Sequence, residues 1–467
     1  MPGTGHLARD PRFIITMLIM KLSFDVKANE YIQSLSESLS NNTSIHFIVL
    51  PTLQSIPKDG NHFLLKLVPE SYKPHVKQAL ISSLTTTTNH LVGFVLDMFC
   101  TTMVDVANEF KVPSYVYYTS SAASLALSLH LEQLYTQNNS SNEVIQQLKD
   151  SDVNLSVSSL VNQVPSKVIS GIFFINEAAV WLYEQVKRYR SEVKGILFNT
   201  FEELESHVIS SLSTHSSLQL PPLYSVGPIL HLKKNIETMD HVDVFKWLDD
   251  QPPSSVVFLC FGSRGSFEKD QVEEIGQALE RSGVRFVWSL RRPSPEGPFQ
   301  TAIDYTNFED ILPLGFLDRT KNIGRVISWA PQVEILAHPA TGGFVSHCGW
   351  NSTLESLWHG VPMATWPLYA EQQFNAFELV MELGLAVEIT IDYQNGYKEE
   401  DKQKIVGAKD IEEGIRKLMG KNNNEIKKKV KAKSEECRKS VLEGGSSFIS
   451  LGKFIDDILT NSLGGGN

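Results

Sequence analysis

A chain of 467 residues exceeds what one core usually holds, so two domains of roughly 200 residues each are expected. A hydrophobic fraction of 42% is that of a soluble protein, and a net charge of −11 disfavours nucleic acid; the basic run Lys427-Lys428-Lys429-Val430-Lys431 sits among acids and reads as a solvated helix face. Cys100, Cys260, Cys348 and Cys437 lie far apart without a C-x-x-C pair, which fits a reducing, cytoplasmic compartment.

The chain opens on Gly3-x-Gly5-His6-x-Ala8, a variant of the dinucleotide fingerprint, which requires a strand before it and a helix after it. Five residues before His6 are too few for that strand. Leu7-Ala8 runs directly into Arg9-Asp10-Pro11, and the residue before a proline avoids the helical region. An NAD enzyme is therefore the weakest reading. Phe13–Met20 follows two arginines as a signal peptide would, yet it lacks a cleavage site, is too short to span a membrane and has the β-branched content of a buried strand. Strands are also expected at Ser44–Leu50, Leu91–Met98, Ser114–Tyr118 and Gly195–Thr200, with helices such as Lys73–Ser83 and Ala178–Arg190 between them. Such alternation predicts a parallel sheet. Thr136–Ser159, rich in Ser, Asn and Gln, reads as a mobile surface loop, and its Asp150-Ser151-Asp152 as surface instead of a metal site.

Pro221-Pro222 and Gly227-Pro228 punctuate the chain and mark a linker over 221–230, between a domain of 1–220 and one of 231–445. In the latter, Val256–Gly262, Val284–Leu290, Arg325–Ser328, Gly343–His347, Val361–Thr365 and Ala386–Ile391 read as strands. Gln271–Ser282, Val333–Ala337, Ser352–His359, Glu371–Leu383 and Ala408–Met419 read as helices, and Arg292–Leu312 as a long loop. The fold class is α/β, with two Rossmann-like doubly wound domains that bind ligands at the carboxyl ends of their strands. Glu425–Leu442 and Phe448–Leu459 read as amphipathic helices, and 446–467 as a terminal helix with a flexible glycine tail.

The chemistry concentrates between Trp329 and Gln372. A buried strand, Gly343–His347, enters the turn Cys348-Gly349-Trp350-Asn351-Ser352 and then a helix, whose N-terminal amides and dipole suit a phosphate. Ser352-x-x-Glu355 is also a capping box, and on that turn alone the cap is the better reading. The surroundings favour a ligand. Trp329-Ala330-Pro331-Gln332 sets a flat indole on a stiff loop, His347 ends the strand, and Glu371-Gln372 follows Trp366-Pro367-Leu368-Tyr369. The set could stack a base, hold a diphosphate and bind a sugar.

These 44 residues resemble the plant secondary-product glycosyltransferase signature of family 1 UDP-dependent glycosyltransferases, and the resemblance runs from Pro2-Gly3-Thr4-Gly5-His6 to Gly444-Gly445-Ser446-Ser447. It implies a GT-B fold, two domains facing across a cleft with the last helix crossing back to the first domain. It implies inverting transfer of glucose from UDP-glucose to a hydroxyl of a small lipophilic plant metabolite, by a monomer without a membrane span. No metal or other cofactor is expected. Trp329 would stack on uracil, Ala330 and Gln332 would contact base and ribose, and Glu355 would take the ribose hydroxyls. Ser263, His347, Asn351 and Ser352 would hold the phosphates, while Trp350, Glu371 and Gln372 would face the hexose, with Gln372 pointing to glucose. His6 would be the catalytic base and Asp97 its orienting partner. Because the residues around His6 leave no room for the domain's first strand and helix, the alternative is a UDP-sugar-binding protein with weak or no turnover.

Overall fold

The computed structural model describes residues 10–21, 26–38, 44–53, 64–86, 89–138, 141–149, 153–215, 218–232, 239–295, 300–393, 404–420 and 424–463. His6, Gly3-x-Gly5-x-x-Ala8 and Asp150-Ser151-Asp152 lie outside them. Packing divides the chain into two units, one of Met1–Ile145, Ile175–His231 and Ser440–Asn467, the other of Gln146–Phe174 and Leu232–Lys439.

In the first unit, β1 (Ile15–Ile19) pairs in parallel with β2 (Ile45–Val49), Ile15 opposite Ile45. A separate parallel sheet runs β3 (Phe94–Asp97), β4 (Ser114–Tyr118), β5 (Ile196–Phe198), β6 (Leu223–Ser225), in that spatial order. Residues 10–14 form a turn and an extended lead into β1, without a helix. Strands of a parallel sheet covered by helices are normally buried on both faces. β5 conforms, but β1 is only half-buried, and Val95 of β3 is 48% exposed.

The Ser446–Leu463 helix closes the β4–β6 sheet, placing Phe454 and Ile458 among Tyr115, Leu197 and Tyr224. The Tyr224 hydroxyl donates to Asp457, and Asn461 Nδ2 donates to the Tyr115 hydroxyl at 2.9 Å. The expected helix over Lys73–Ser83 is longer, Leu64–Thr86, and contains Pro69 and Pro74. Val68, Tyr72, Val76 and Leu80 form a buried stripe at four-residue spacing, whose burial offsets the bonds that the prolines remove.

The second unit carries one six-stranded parallel sheet of β7 (Val256–Cys260), β8 (Arg285–Ser289), β9 (Gly324–Ile327), β10 (Thr341–Ser346), β11 (Met363–Thr365) and β12 (Ala386–Glu388). Its spatial order is β9-β8-β7-β10-β11-β12, the 3-2-1-4-5-6 order of a doubly wound sheet. Every residue of β7 and β10 is buried, and Phe286, Trp288, Val345 and Trp366 share the core with the Lys269–Ser282 and Ala408–Met419 helices. In the first unit, by contrast, the described strands form two separate parallel sheets, a pair and a run of four.

Two expectations change. Thr136–Ser159 is not a loop throughout, since Ser141–Leu148 is a helix with Val144, Ile145 and Leu148 buried; its polar letters are the outer face of an amphipathic turn. A single cut at 221–230 also does not describe the packing, because Gln146–Phe174 groups with the second unit. There the amides of Val161 and Asn162 donate to the Glu382 carboxylate at 3.0 and 2.7 Å. No described helix is long and apolar enough to cross a membrane.

Candidate donor site

The site of the second unit is built at the carboxyl ends of β7 and β10. After β10 the chain turns through His347, Cys348 and Gly349, with Cys348 at a φ of 61°, into the Trp350–His359 helix. Its N-cap is Gly349, not Ser352, and no side chain caps it. The helical ladder begins where Thr353 N donates to Gly349 O at 3.0 Å, so the amides of residues 350–352 are those the helix end presents to an anion.

The capping box is thereby excluded. Glu355 reaches across to Gln332, whose Nε2 donates to Glu355 Oε2 at 2.6 Å and to Ser352 Oγ at 2.9 Å. One amide thus orients a carboxylate and a hydroxyl on adjacent turns. Burial raises the Glu355 carboxyl above the usual carboxylate range, against the hydrogen bond from Gln332.

His347 is 7% exposed and wedged between two glycines. A Cβ on Gly262 would lie 2.6 Å from its Nε2, and one on Gly349 would lie 2.5 Å away. Gly262 also has a φ of +75°, which an L side chain resists. Enclosure pushes the imidazole down to about 4, so it is neutral near pH 7. It offers the site a hydrogen bond, not a charge, and its buried Nδ1 has no partner among the described residues.

Ser263 and Arg264, in the turn that follows β7, are exposed, so the Arg264 side chain faces solvent. Trp329 is 45% exposed, with the Arg291 guanidinium 4.9 Å from its ring centroid, while Ala330 beside it is buried. Asn351 is exposed, and Trp350 is only 2% exposed, so its side chain is packed away from solvent. Gln372 Oε1 accepts from the amides of Leu368 and Tyr369 at 2.9 and 3.0 Å, which fixes the side chain and leaves its amide nitrogen for other acceptors. Burial raises the neighbouring half-buried Glu371 carboxyl. Trp366 is fully buried against Phe261, Phe267 and Tyr393 and is a core aromatic.

Two further residues brace the candidate site and carried no motif in the sequence. Asn375, fully buried, donates from Nδ2 to Cys348 O at 2.9 Å and holds the turn under the helix end. Arg291 lies two residues beyond the end of β8 and is 3% exposed. A basic residue just after an apolar run was the available signal.

Asp97 closes β3 in the first unit, accepting from Phe99 N at 2.9 Å through Oδ1. Although it lies at an exposed strand end, desolvation by the surrounding wall raises its carboxyl, and no ion pair reaches it among the described residues. Nearby Cys100 is pushed up to about 12 by the same desolvation and by the Asp97 charge.

The family described as UDP-glucoronosyl and UDP-glucosyl transferase matches residues 107–395. A Fragaria ananassa UDP-glucose flavonoid 3-O-glucosyltransferase is 48% identical, over 99% of this chain and 98% of its own length. A transferase from Siraitia grosvenorii solved with UDP is 51% identical, with a TM-score of 0.83 over 98% of this chain and 95% of that one. A Medicago truncatula glycosyltransferase complexed with UDP-glucose is 40% identical, with a TM-score of 0.84 over 98% and 93%.

Proposed function

We propose, because the chain belongs to the UDP-glucuronosyl and UDP-glucosyl transferase family, that it transfers glucose from UDP-glucose to a hydroxyl of a small lipophilic plant metabolite with inversion. The observation that carries this reading is the Gln332, Ser352 and Glu355 constellation beside the open Trp329 indole and the helix end at Gly349. Uracil stacks on Trp329 and meets Ala330 and Gln332. The ribose diol donates to Glu355, a carboxylate already oriented and able to accept from both hydroxyls. The diphosphate takes Ser263, the hydroxyl of Ser352, the Asn351 side chain, a neutral His347 N–H and the amides of the helix end. Glu371, Gln372 and the backbone at Trp350 face the hexose.

The departing diphosphate gathers charge as the glycosidic bond breaks, and donors already aimed at it lower that barrier without reorganising. We assign no metal to this step. His6 is the base for the acceptor hydroxyl, and Asp97 stabilises the imidazolium formed; the raised Asp97 carboxyl, lacking an ion pair, suits a cationic partner. Scattered cysteines and net acidity support a cytoplasmic monomer.

The test is turnover of labelled UDP-glucose over a panel of flavonoid, terpenoid and other phenolic acceptors, with and without EDTA. A β-glucoside formed equally in both arms is expected. Loss of product with chelator, restored by Mn²⁺ or Mg²⁺, would overturn the metal-free assignment. A second reading, UDP-sugar binding without turnover, is favoured by the divided sheet of the first unit, and would show as calorimetric UDP binding with no product from any acceptor.

A further inference from the structure

Arg291 is among the most buried cations described, and its contacts join two parts of the site that are far apart in sequence. Its Nε donates to Asp304 Oδ1 at 3.1 Å, and its Nη1 donates to the carbonyl of Ser263 at 3.0 Å, an oxygen that also accepts from Ala302 N at 3.0 Å. Its guanidinium carbon lies 4.9 Å from the Trp329 ring centroid. Nη2 is enclosed and has no partner among the described residues.

A guanidinium retained inside a protein with one nitrogen unspent carries a desolvation penalty, which a merely structural site would avoid with an apolar side chain. Its geometry accounts for its retention. The guanidinium lies over the indole, and Trp329 is still 45% exposed, which leaves ring surface for a base. Meanwhile the fork clamps the backbone of Ser263.

We propose that Arg291 is a positioning residue of the donor site, which holds the Trp329 indole and the Ser263 loop in fixed mutual register so that one nucleotide meets both. This rests on the donor-site reading above. In the resulting stack of guanidinium, indole and base, the cation stiffens the indole before the nucleotide arrives and reduces the ordering that binding would otherwise require. A lysine would keep the charge but lose the planar fork, so it cannot cover the ring and hold the carbonyl together.

The experiment uses the full chain and its R291K, R291M, W329A and R291M/W329A variants, with UDP binding measured by calorimetry, UDP-glucose kinetics, and thermal melting without ligand. R291M is expected to weaken UDP binding roughly tenfold, with R291K between it and wild type. KM for UDP-glucose should rise while kcat stays within about threefold, since positioning acts on bound ground and transition states alike. Because Arg291 acts partly through the indole, the double variant should bind UDP more tightly than the product of the single effects predicts. Multiplicative losses, or R291 variants that bind UDP like wild type while only melting lower, would overturn the inference. Should R291M fail to fold, R291K and Asp304→Asn, which loosens the guanidinium without removing it, carry the same comparison. Wild type that binds no UDP would overturn the donor-site reading itself, whereas wild-type binding with unaffected R291 variants would sink only this inference.

Discussion

At the scale of single residues, Glu355 and His347 show how environment sets a role that residue type leaves open. Glu355 is oriented by Gln332 instead of reaching back to its own helix end. Glu355→Ala should therefore leave the helix intact and weaken UDP by about 1.5–3 kcal/mol, the range of hydrogen bonds to charged groups. Unchanged calorimetric affinity in a folded variant would remove the carboxylate from the ribose. His347 carries a pH signature. Burial holds its folded value at about 4 against the ordinary 6.5 of a histidine, so below pH 6.5 the unfolded chain takes up a proton that the folded one refuses. Stability should fall as pH drops from about 6.5 towards 4, by up to roughly 3 kcal/mol from this imidazole. Urea unfolding across that window in wild type and His347→Asn checks it, and an equal slope in both would mean that the imidazole is not held neutral. Glu355 and His347 were legible as candidates because they stand in a dense local pattern. Their partners were not, because Gln332 is 23 residues from Glu355, and Gly262 belongs to a different strand end from His347.

At the scale of elements, the turn from β10 into the Trp350–His359 helix is shaped by what surrounds it. Gly262 and Gly349 both press on His347, but only Gly262 has the left-handed backbone, Gly349 lying at a φ of −61°. Gly262→Ala and Gly349→Ala should both displace the imidazole and weaken UDP, while Gly262→Ala should cost about 1–2 kcal/mol more stability for the strained φ. Equal melting of the two variants would show that the clash, not the backbone, is limiting. Helices were read less well where composition misleads. Pro69 and Pro74 hid the first turns of Leu64–Thr86, and the polar run around Ser141–Leu148 hid three buried apolar residues. In both, burial against a neighbouring element decides what local propensity would not.

At the scale of the whole molecule, the two units differ in how their sheets are closed. β7 bridges the two halves of the second sheet and is wholly buried, whereas in the first unit β1 and β2 form a sheet apart from β3, with half-exposed residues along them. Backbone hydrogen bonds beside exposed strands open without unfolding the rest. Amide exchange in β1, β2 and β3 should be at least about 100-fold faster than in β7 and β10 by mass-resolved hydrogen exchange. Uniform protection would mean that the first sheet is as cooperative as the second. The sequence alone was sufficient for the α/β class and for five strands of the first unit and six of the second, and it singled out the candidate residues from Trp329 to Gln372. Those signals are short-range: apolar runs of strand length, glycine and proline punctuation, and a motif whose members lie within 44 consecutive residues. Only the tertiary structure decided that Gln146–Phe174 packs with the second unit, that Glu355 answers to Gln332, that Trp366 is core, and that Arg291 lies over Trp329. Each depends on which distant segments share a surface, and that is set by packing and strand order, for which neither periodicity nor spacing along the chain carries a signal.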